Sequence, residues 1–179
     1  MGPGCSPAGS WCQRCSGSES AYVFYSGPRE VFDAHQPLLR LIGRPDYLGA
    51  GPRPAQLLYQ AQLSYFLTAL AGFTQAAALV GTAGVPASDY LPYAVDIADS
   101  VSMYLGQAAK QMDANDHPGT GDTTMMRASA AHVARTSLDS GLDTAVPDAV
   151  GSLYDHAVAA GRGNDSWTVL SEVVRRRLP

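Results

Sequence analysis

Between Gln56 and Val85 the chain reads QLLYQAQLSYFLTALAGFTQAAALVGTAGV, a stretch without one charged side chain. Ala and Leu dominate it, so helix propensity is high. A helix from Pro54 to Gly84 would rise roughly 45 Å at 1.5 Å per residue, more than a small single-layer domain needs. Three environments suit such a helix. Length and lack of charge permit a membrane span. The composition argues against one, because Gln60, Gln62, Ser64, Thr68, Thr74 and Gln75 recur through the middle. No basic cluster marks a cytoplasmic flank, and no Trp stands at either end. A buried core helix is the default for a stretch apolar most of the way round. It explains neither the length nor the row Gln60, Ser64, Thr68, Gly72, which four-residue spacing puts on one face. Such a row lines a cleft or admits another helix closely; equally, Ser64 and Thr68 can bond back to the helix's own carbonyls. The third environment is an interface. A small helical domain with this much apolar helix surface is a natural obligate dimer, so the expectation is a homodimer through the long helix and no membrane partner.

The rest of the chain supports a helical body. Apolar residues make up 46% of the 179 and charged ones only 16%, a globular balance. The net charge of -4 argues against a nucleic-acid partner, which calls for a basic surplus gathered in a patch. The basic run Arg175-Arg176-Arg177 closes a terminal helix, where cations suit the negative end of the dipole. Cys5, Cys12 and Cys15 all fall in the first fifteen residues. Cys12 and Cys15 have Cys-x-x-Cys spacing, but no second ligand pair for zinc and no strand-helix context for a redox motif accompany them. They are read as incidental, and no metal is expected. Residues 1–20, rich in Gly, Ser and Pro with no apolar run, are read as disordered or foreign to the fold and not as a signal peptide. A cysteine-free body and this reading place the chain in the cytoplasm.

Ala21 to Gly27, AYVFYSG, reads as one strand that nothing else in the sequence pairs with. Pro28 then opens a helix with Val31, Leu38, Leu39, Leu41 and Ile42 on its apolar side, ended by Gly43. GRPDYLGAGPRP is a loop by composition. After the long helix, Ser88 is a candidate N-cap for the next. Asp122 is read as capping TTMMRASAAHVARTSLDS, Pro147 as starting a helix, and Asp165 as capping SWTVLSEVVRRRL. The fold class is all-α, about six helices with a short orphan strand before the first. The organisation is 1–20 outside the fold, 21–27 the strand, and 28–179 the helical body.

Several stretches, in order and spacing, carry a resemblance. They are YSGPREVFDAHQPLLRLIGRPDYLG, LLYQAQLSYFLTALAGFTQAAALVGTAGV, DYLPYAVD, HPGTGDTTMMRASAAHVARTSLDSGLDTAVPDAV and AAGRGNDSWTVLSEVVRR. From about Ala21 to Leu178 the chain resembles the C-terminal half of the NADPH-dependent imine reductases and reductive aminases, relatives of the β-hydroxyacid dehydrogenases. The resemblance implies an N-terminal Rossmann domain whose last strand is AYVFYSG, and a long interdomain helix formed by the uncharged stretch. It implies an intertwined dimer in which each active site joins one chain's Rossmann domain to its partner's helices. It also implies NADPH as cofactor and a small-molecule imine or amine as substrate. The G-x-G-x-x-G fingerprint is missing, since GTAGVP, GTGDTT and GRGND do not fit it. The cofactor-binding residues are therefore unknown, a separate Rossmann domain is a possible partner, and the chain is expected to be inactive alone.

By the same resemblance, Ser64 holds the position that many family members fill with Asp, and others with Tyr, as proton donor to the imine nitrogen; Tyr65 stands next to it. A serine hydroxyl is a poor acid near neutral pH. A tyrosine, with pKa about 10, is a better one, though adjacent helix residues point roughly 100° apart. Ser64 and Tyr65 are the catalytic candidates, with protonation by solvent left open. Thr68 and Gly72 are expected to line the same cleft, and Met125 and Met126 to form a hydrophobic wall supplied from the partner. Asp96 and Asp99 share a helix face without interleaved histidines and read as solvated, and His132 and His156 read as packing or capping residues. No nucleophile elbow appears. Two readings remain: the substrate-binding and dimerisation half of an imine reductase, or a non-catalytic helical dimer.

Overall fold

A computed structural model describes residues 21–175. The three cysteines, the reading of residues 1–20, and Arg176 and Arg177 lie outside the described residues. Within them the order is β1 (Tyr22–Tyr25), α1 (Arg29–Leu39), β2 (Arg44–Tyr47), α2 (Pro54–Gly81), α3 (Ala87–Ala114), α4 (Asp122–Asp139) and α5 (Ala145–Ala159). A 3-10 turn (Trp167–Val169) then leads into α6 (Leu170–Arg175). The chain divides into two units, one ending at Ala69 and the other beginning at Leu70, inside α2.

In the first unit the strand expected to be an orphan is paired. β1 runs parallel to β2, with Tyr22 opposite Arg44 and Tyr25 opposite Tyr47. Arg-Pro-Asp-Tyr has poor strand propensity and reads as loop. It is held extended by the strand beside it, through Arg44 N–H to Ala21 O at 2.8 Å and Leu48 N–H to Tyr25 O at 2.8 Å. Gly43 makes the approach possible, because a Cβ there would stand 2.8 Å from Ala21 O. The α1 side chain Phe32 is buried, its ring 5.9 Å from Tyr25 and 5.0 Å from Tyr47. Helix α1 stops at Leu39 and not at Gly43: Pro37 cannot donate to the carbonyl one turn back, and the helix ends two residues later. Leu41 and Ile42, expected on its apolar side, sit exposed in the turn that follows.

Helix α2 spans 28 residues, and none of them is buried. By length and composition it could cross a membrane, yet its most apolar window is wholly unburied within the chain. Leu57, Tyr65, Leu67 and Leu70 on α2 are each about half exposed or more. Helix α3 repeats the pattern, with Tyr93, Ile97, Met103 and Tyr104 exposed and only Ala108 buried. Phe73 of α2 stacks on Tyr90 of α3 with centroids 6.1 Å apart. Gln75 Nε2 donates to the buried Ser137 Oγ of α4 at 3.0 Å.

The second unit keeps its small core at the C-terminal end, where Ala157, Val169 and Val173 pack with Leu153 and Leu170. Helix ends differ from expectation by a residue or two. Pro86, not Ser88, precedes α3; Gly121, at φ 95°, precedes α4; Ser166, not Asp165, precedes the 3-10 turn. Helix α5 begins at Ala145, two residues before Pro147.

Candidate functional site

Two loops form a seam that positions the site. Asn115, in the left-handed region at φ 51°, turns the chain out of α3. The following residues bond to the loop after α5: Gly121 N–H to Asn164 O at 3.1 Å, Thr123 N–H to Asp165 O at 3.0 Å, and Ser166 N–H to His117 O at 3.1 Å. The Thr123 and Thr124 hydroxyls add bonds to Asp165 O at 2.7 Å and Gly163 O at 2.9 Å. Gly119 lies at the closest point, where a Cβ would meet Ser166 N at 2.3 Å. A glycine is required there by space, not by φ. The seam sets the 3-10 turn against α3 and fixes where Trp167 and Thr168 stand.

Between α3, α4, α5 and that turn lies a cavity of about 680 Å³. Its walls are mainly apolar and aromatic: Val101, Tyr104, Leu105, Met125, Met126, Tyr154 and Trp167. Gln107, Gln111, Asp122, Ser166 and Thr168 are the polar points on this lining. This combination of many apolar surfaces and few placed polar groups is what a small-molecule site requires. Burial raises the Tyr154 phenol above its ordinary value near 10, so it stays a neutral hydroxyl at working pH.

Behind the cavity runs a buried polar chain. Thr168 Oγ1 donates to Gln111 Oε1 at 2.8 Å and lies 2.9 Å from His117 Nδ1. The His117 side chain is fully buried, with Nε2 3.3 Å from Glu172 Oε1. That separation is within ion-pair reach, though the atoms are not aligned as a hydrogen bond. Glu172 Oε2 accepts from Arg162 Nη1 at 2.8 Å, and Arg162 Nε donates to Asp165.

Of the sequence candidates, Met125 and Met126 come together on the cavity wall, each partly exposed. Ser64, Tyr65 and Thr68 lie on exposed surface of α2 in the first unit, with Gly72 one turn further on. The Thr68 hydroxyl bonds back to Ser64 O at 2.8 Å, the ordinary use of a helical threonine. No partner for the Ser64 hydroxyl is found among the described residues. Tyr65 is 62% exposed, and an added Cβ on Gly72 would meet nothing within 4 Å. Sequence reasoning missed His117, Gln111, Thr168, Tyr104, Tyr154 and Trp167. The only local hint was His117-Pro118 in a stretch that otherwise reads as turn punctuation.

The described residues do not fit a dinucleotide. GTAGVP follows a helix, GTGDTT precedes α4 without a strand before it, and GRGND leaves α5. Two strand-to-helix turns occur among the described residues: Ser26-Gly27-Pro28 carries a single glycine, and the turn from β2 to α2 has Gly49 and Gly51 but Pro54 where the third glycine of the fingerprint belongs, so neither forms the pyrophosphate cradle. Among the described residues no cluster of His, Cys, Asp or Glu could hold a metal ion.

Comparison with known proteins follows this geometry. The family model described as NADPH-dependent reductive aminase-like, C-terminal domain, matches residues 51–176. The NADPH-dependent reductive aminase of Aspergillus oryzae is 28% identical over 161 residues, covering 87% of this chain and 55% of that protein. An imine reductase from Bacillus cereus superposes with a TM-score of 0.85 at 32% identity, over 91% of this chain and 57% of its own. The Streptomyces aurantiacus imine reductase gives 0.82 at 34% identity, over 91% and 58%. The Aspergillus terreus reductive aminase, solved with NADPH and ethyl levulinate, gives 0.85 at 28%, over 90% and 57%. The chain thus spans little more than half the length of these relatives. It belongs to the family of NADPH-dependent reductive aminase-like C-terminal domains.

Proposed function

We propose that this chain is the substrate-binding and dimerisation half of an NADPH-dependent imine reductase or reductive aminase. The observation that carries the reading is the aromatic and methionine-walled cavity of about 680 Å³, in a domain of that family. Relatives in the family use NADPH, the source of hydride for a C=N carbon. No nucleotide cradle is found among the described residues, and in this reading turnover needs a nucleotide-binding domain to be supplied. Its own contribution is binding and orientation. Met125 and Met126 supply an adaptable apolar wall, Tyr104 and Trp167 supply flat aromatic faces, and the cavity sheds water from a small imine or amine. By the family pattern the reacting nitrogen falls to Ser64 or Tyr65, which leave α2 roughly 100° apart, with Thr68 and Gly72 further along the same helix. Ser64 orients the substrate or a water, and Tyr65 or solvent provides the proton.

The working form in this proposal is a homodimer, with a second copy covering α2. Exposed apolar surface on this scale marks an interaction face, and the neutral row Gln60, Ser64, Thr68, Gly72 lets a neighbouring helix approach. A non-catalytic helical dimer is the second reading, favoured by the serine at position 64 and by the lack of a nucleotide cradle among the described residues. A chimera decides between them. The nucleotide-binding half of the Bacillus cereus relative is joined ahead of Ala21, and NADPH oxidation is followed with a cyclic imine. Imine-dependent turnover supports the first reading. A folded chimera that binds NADPH without reducing any imine supports the second.

A further inference from the structure

We propose that Gln111 is a specificity-determining hydrogen-bond donor of the cavity, held in that sense by His117 acting through Thr168. The ligand therefore carries an oxygen acceptor, such as a carbonyl, at the Gln111 end. This rests on the reading that the cavity takes the substrate.

The Thr168 hydroxyl has one hydrogen, and it is spent on Gln111 Oε1 at 2.8 Å. At its 2.9 Å contact with His117 Nδ1, Thr168 Oγ1 must then accept, so Nδ1 carries a hydrogen. On the far side of the ring, His117 Nε2 lies 3.3 Å from Glu172 Oε1, not aligned as a hydrogen bond. The groups in contact with the His117 ring are Thr168 of the 3-10 turn and Glu172 of α6, with Gln111 of α3 reached through Thr168. Glu172 is itself held by Arg162, which also pairs with Asp165. The imidazole is fully buried and cannot exchange these partners for water. With Oε1 occupied, the Gln111 amide has only Nε2–H left to offer, and no described residue accepts from it. Gln111 lines the cavity, so this pair of hydrogens is what a bound molecule meets. Turned the other way, the amide would demand a donor from the ligand, and the cavity would select the opposite chemistry.

Two measurements test the proposal. His35, His132 and His156 are exposed, so a chain carrying His35→Asn, His132→Asn and His156→Asn leaves His117 as its single imidazole. Long-range proton–nitrogen NMR of that chain is expected to show a hydrogen on Nδ1. A bare Nδ1, with the hydrogen on Nε2 alone, overturns the proposal, because Thr168 would then donate to the ring and Gln111 would be reversed. The second measurement compares binding of ethyl levulinate and an aliphatic methyl ketone of matched length to the full chain by ligand-observed NMR. Gln111→Met and Thr168→Val are each expected to weaken the keto ester on the order of threefold to tenfold, with the plain ketone changing less. Equal losses for both ligands overturn the donor role. If neither ligand binds the parent chain, the substrate reading of the cavity fails, while the Nδ1 result still decides the direction of the relay by itself.

Discussion

Replacing Gly119 with alanine tests the seam that builds the cavity. The new Cβ would stand 2.3 Å from Ser166 N and 2.5 Å from Asp165 C. Both are backbone atoms, so no side chain can swing away and the two loops must part. Four backbone bonds cross the seam, and three of them involve the residues that Cβ would meet: from Gly121 to Asn164, from Thr123 to Asp165 and from Ser166 to His117. At roughly 0.5–1.5 kcal/mol each, their loss or distortion costs about 2–4 kcal/mol. With a urea slope of about 2 kcal/mol/M, the unfolding midpoint should fall by about 1–2 M at unchanged slope. Trp167, beside the seam, reports the transition once Trp11, the only other tryptophan, is replaced by Phe. Protein concentration must be held constant, because association shifts apparent stability. Gly119→Ala within about 0.5 kcal/mol of the parent would refute the reasoning, since it would mean the loops do not meet as described.

Other expectations are simpler. Gly72→Ala should stabilise the lone chain, at protein concentrations low enough to dissociate a pair, by about 0.5–1 kcal/mol, because the site is then an open helix interior where alanine is favoured; thermal unfolding under those conditions that shows a loss contradicts this. Burial raises the Tyr154 phenol, and the neutral form is the one the fold prefers. That stabilisation is present below the unfolded value near 10 and is lost as pH rises through the folded one, so Tyr154→Phe should flatten the alkaline fall in stability. An equally steep fall in the variant would assign it to other groups. Nicotinamide fluorescence should not change when the 179-residue chain is titrated with NADPH, and a low-micromolar dissociation constant would contradict the absence of a cradle.

Much of the fold is legible in the sequence where periodicity and propensity agree, and illegible where tertiary contact overrides them. The uncharged run from Gln56 needs nothing but its own alanines and leucines to be helical, and α2 follows it closely. Arg44-Pro45-Asp46-Tyr47 has no strand signature at all. It is extended because β1 and Gly43 offer it a partner, and that information lies some twenty residues away. The same holds at His117. Asp-His-Pro-Gly-Thr-Gly-Asp has every mark of a surface turn, yet its imidazole is fully buried, with Thr168 and Glu172 brought against it from positions some fifty residues along the chain. Met125 and Met126 could be named because they fall in a stretch that carries the family resemblance. Their aromatic neighbours on other helices could not, because a cavity wall assembled from three helices and a turn has no sequence period.

The dimer proposal carries the most weight, and α2 supplies its energetics. Eight large apolar side chains on that helix, Leu57, Leu58, Tyr59, Tyr65, Phe66, Leu67, Leu70 and Phe73, remain on average about half exposed. Covering the rest yields roughly 6–12 kcal/mol per chain at about 1.5–3 kcal/mol for each full burial. Counted for both copies, this matches or exceeds an association cost of about 4–15 kcal/mol. Sedimentation equilibrium of the chain at micromolar concentration, without detergent, is therefore the most direct test. Twice the chain mass is expected, falling to the single mass for Leu67→Arg, whose charge could reach water on a lone chain but would be buried twice in a pair. A parent chain that runs as a monomer, or that stays soluble only when lipid vesicles are supplied, would contradict the account.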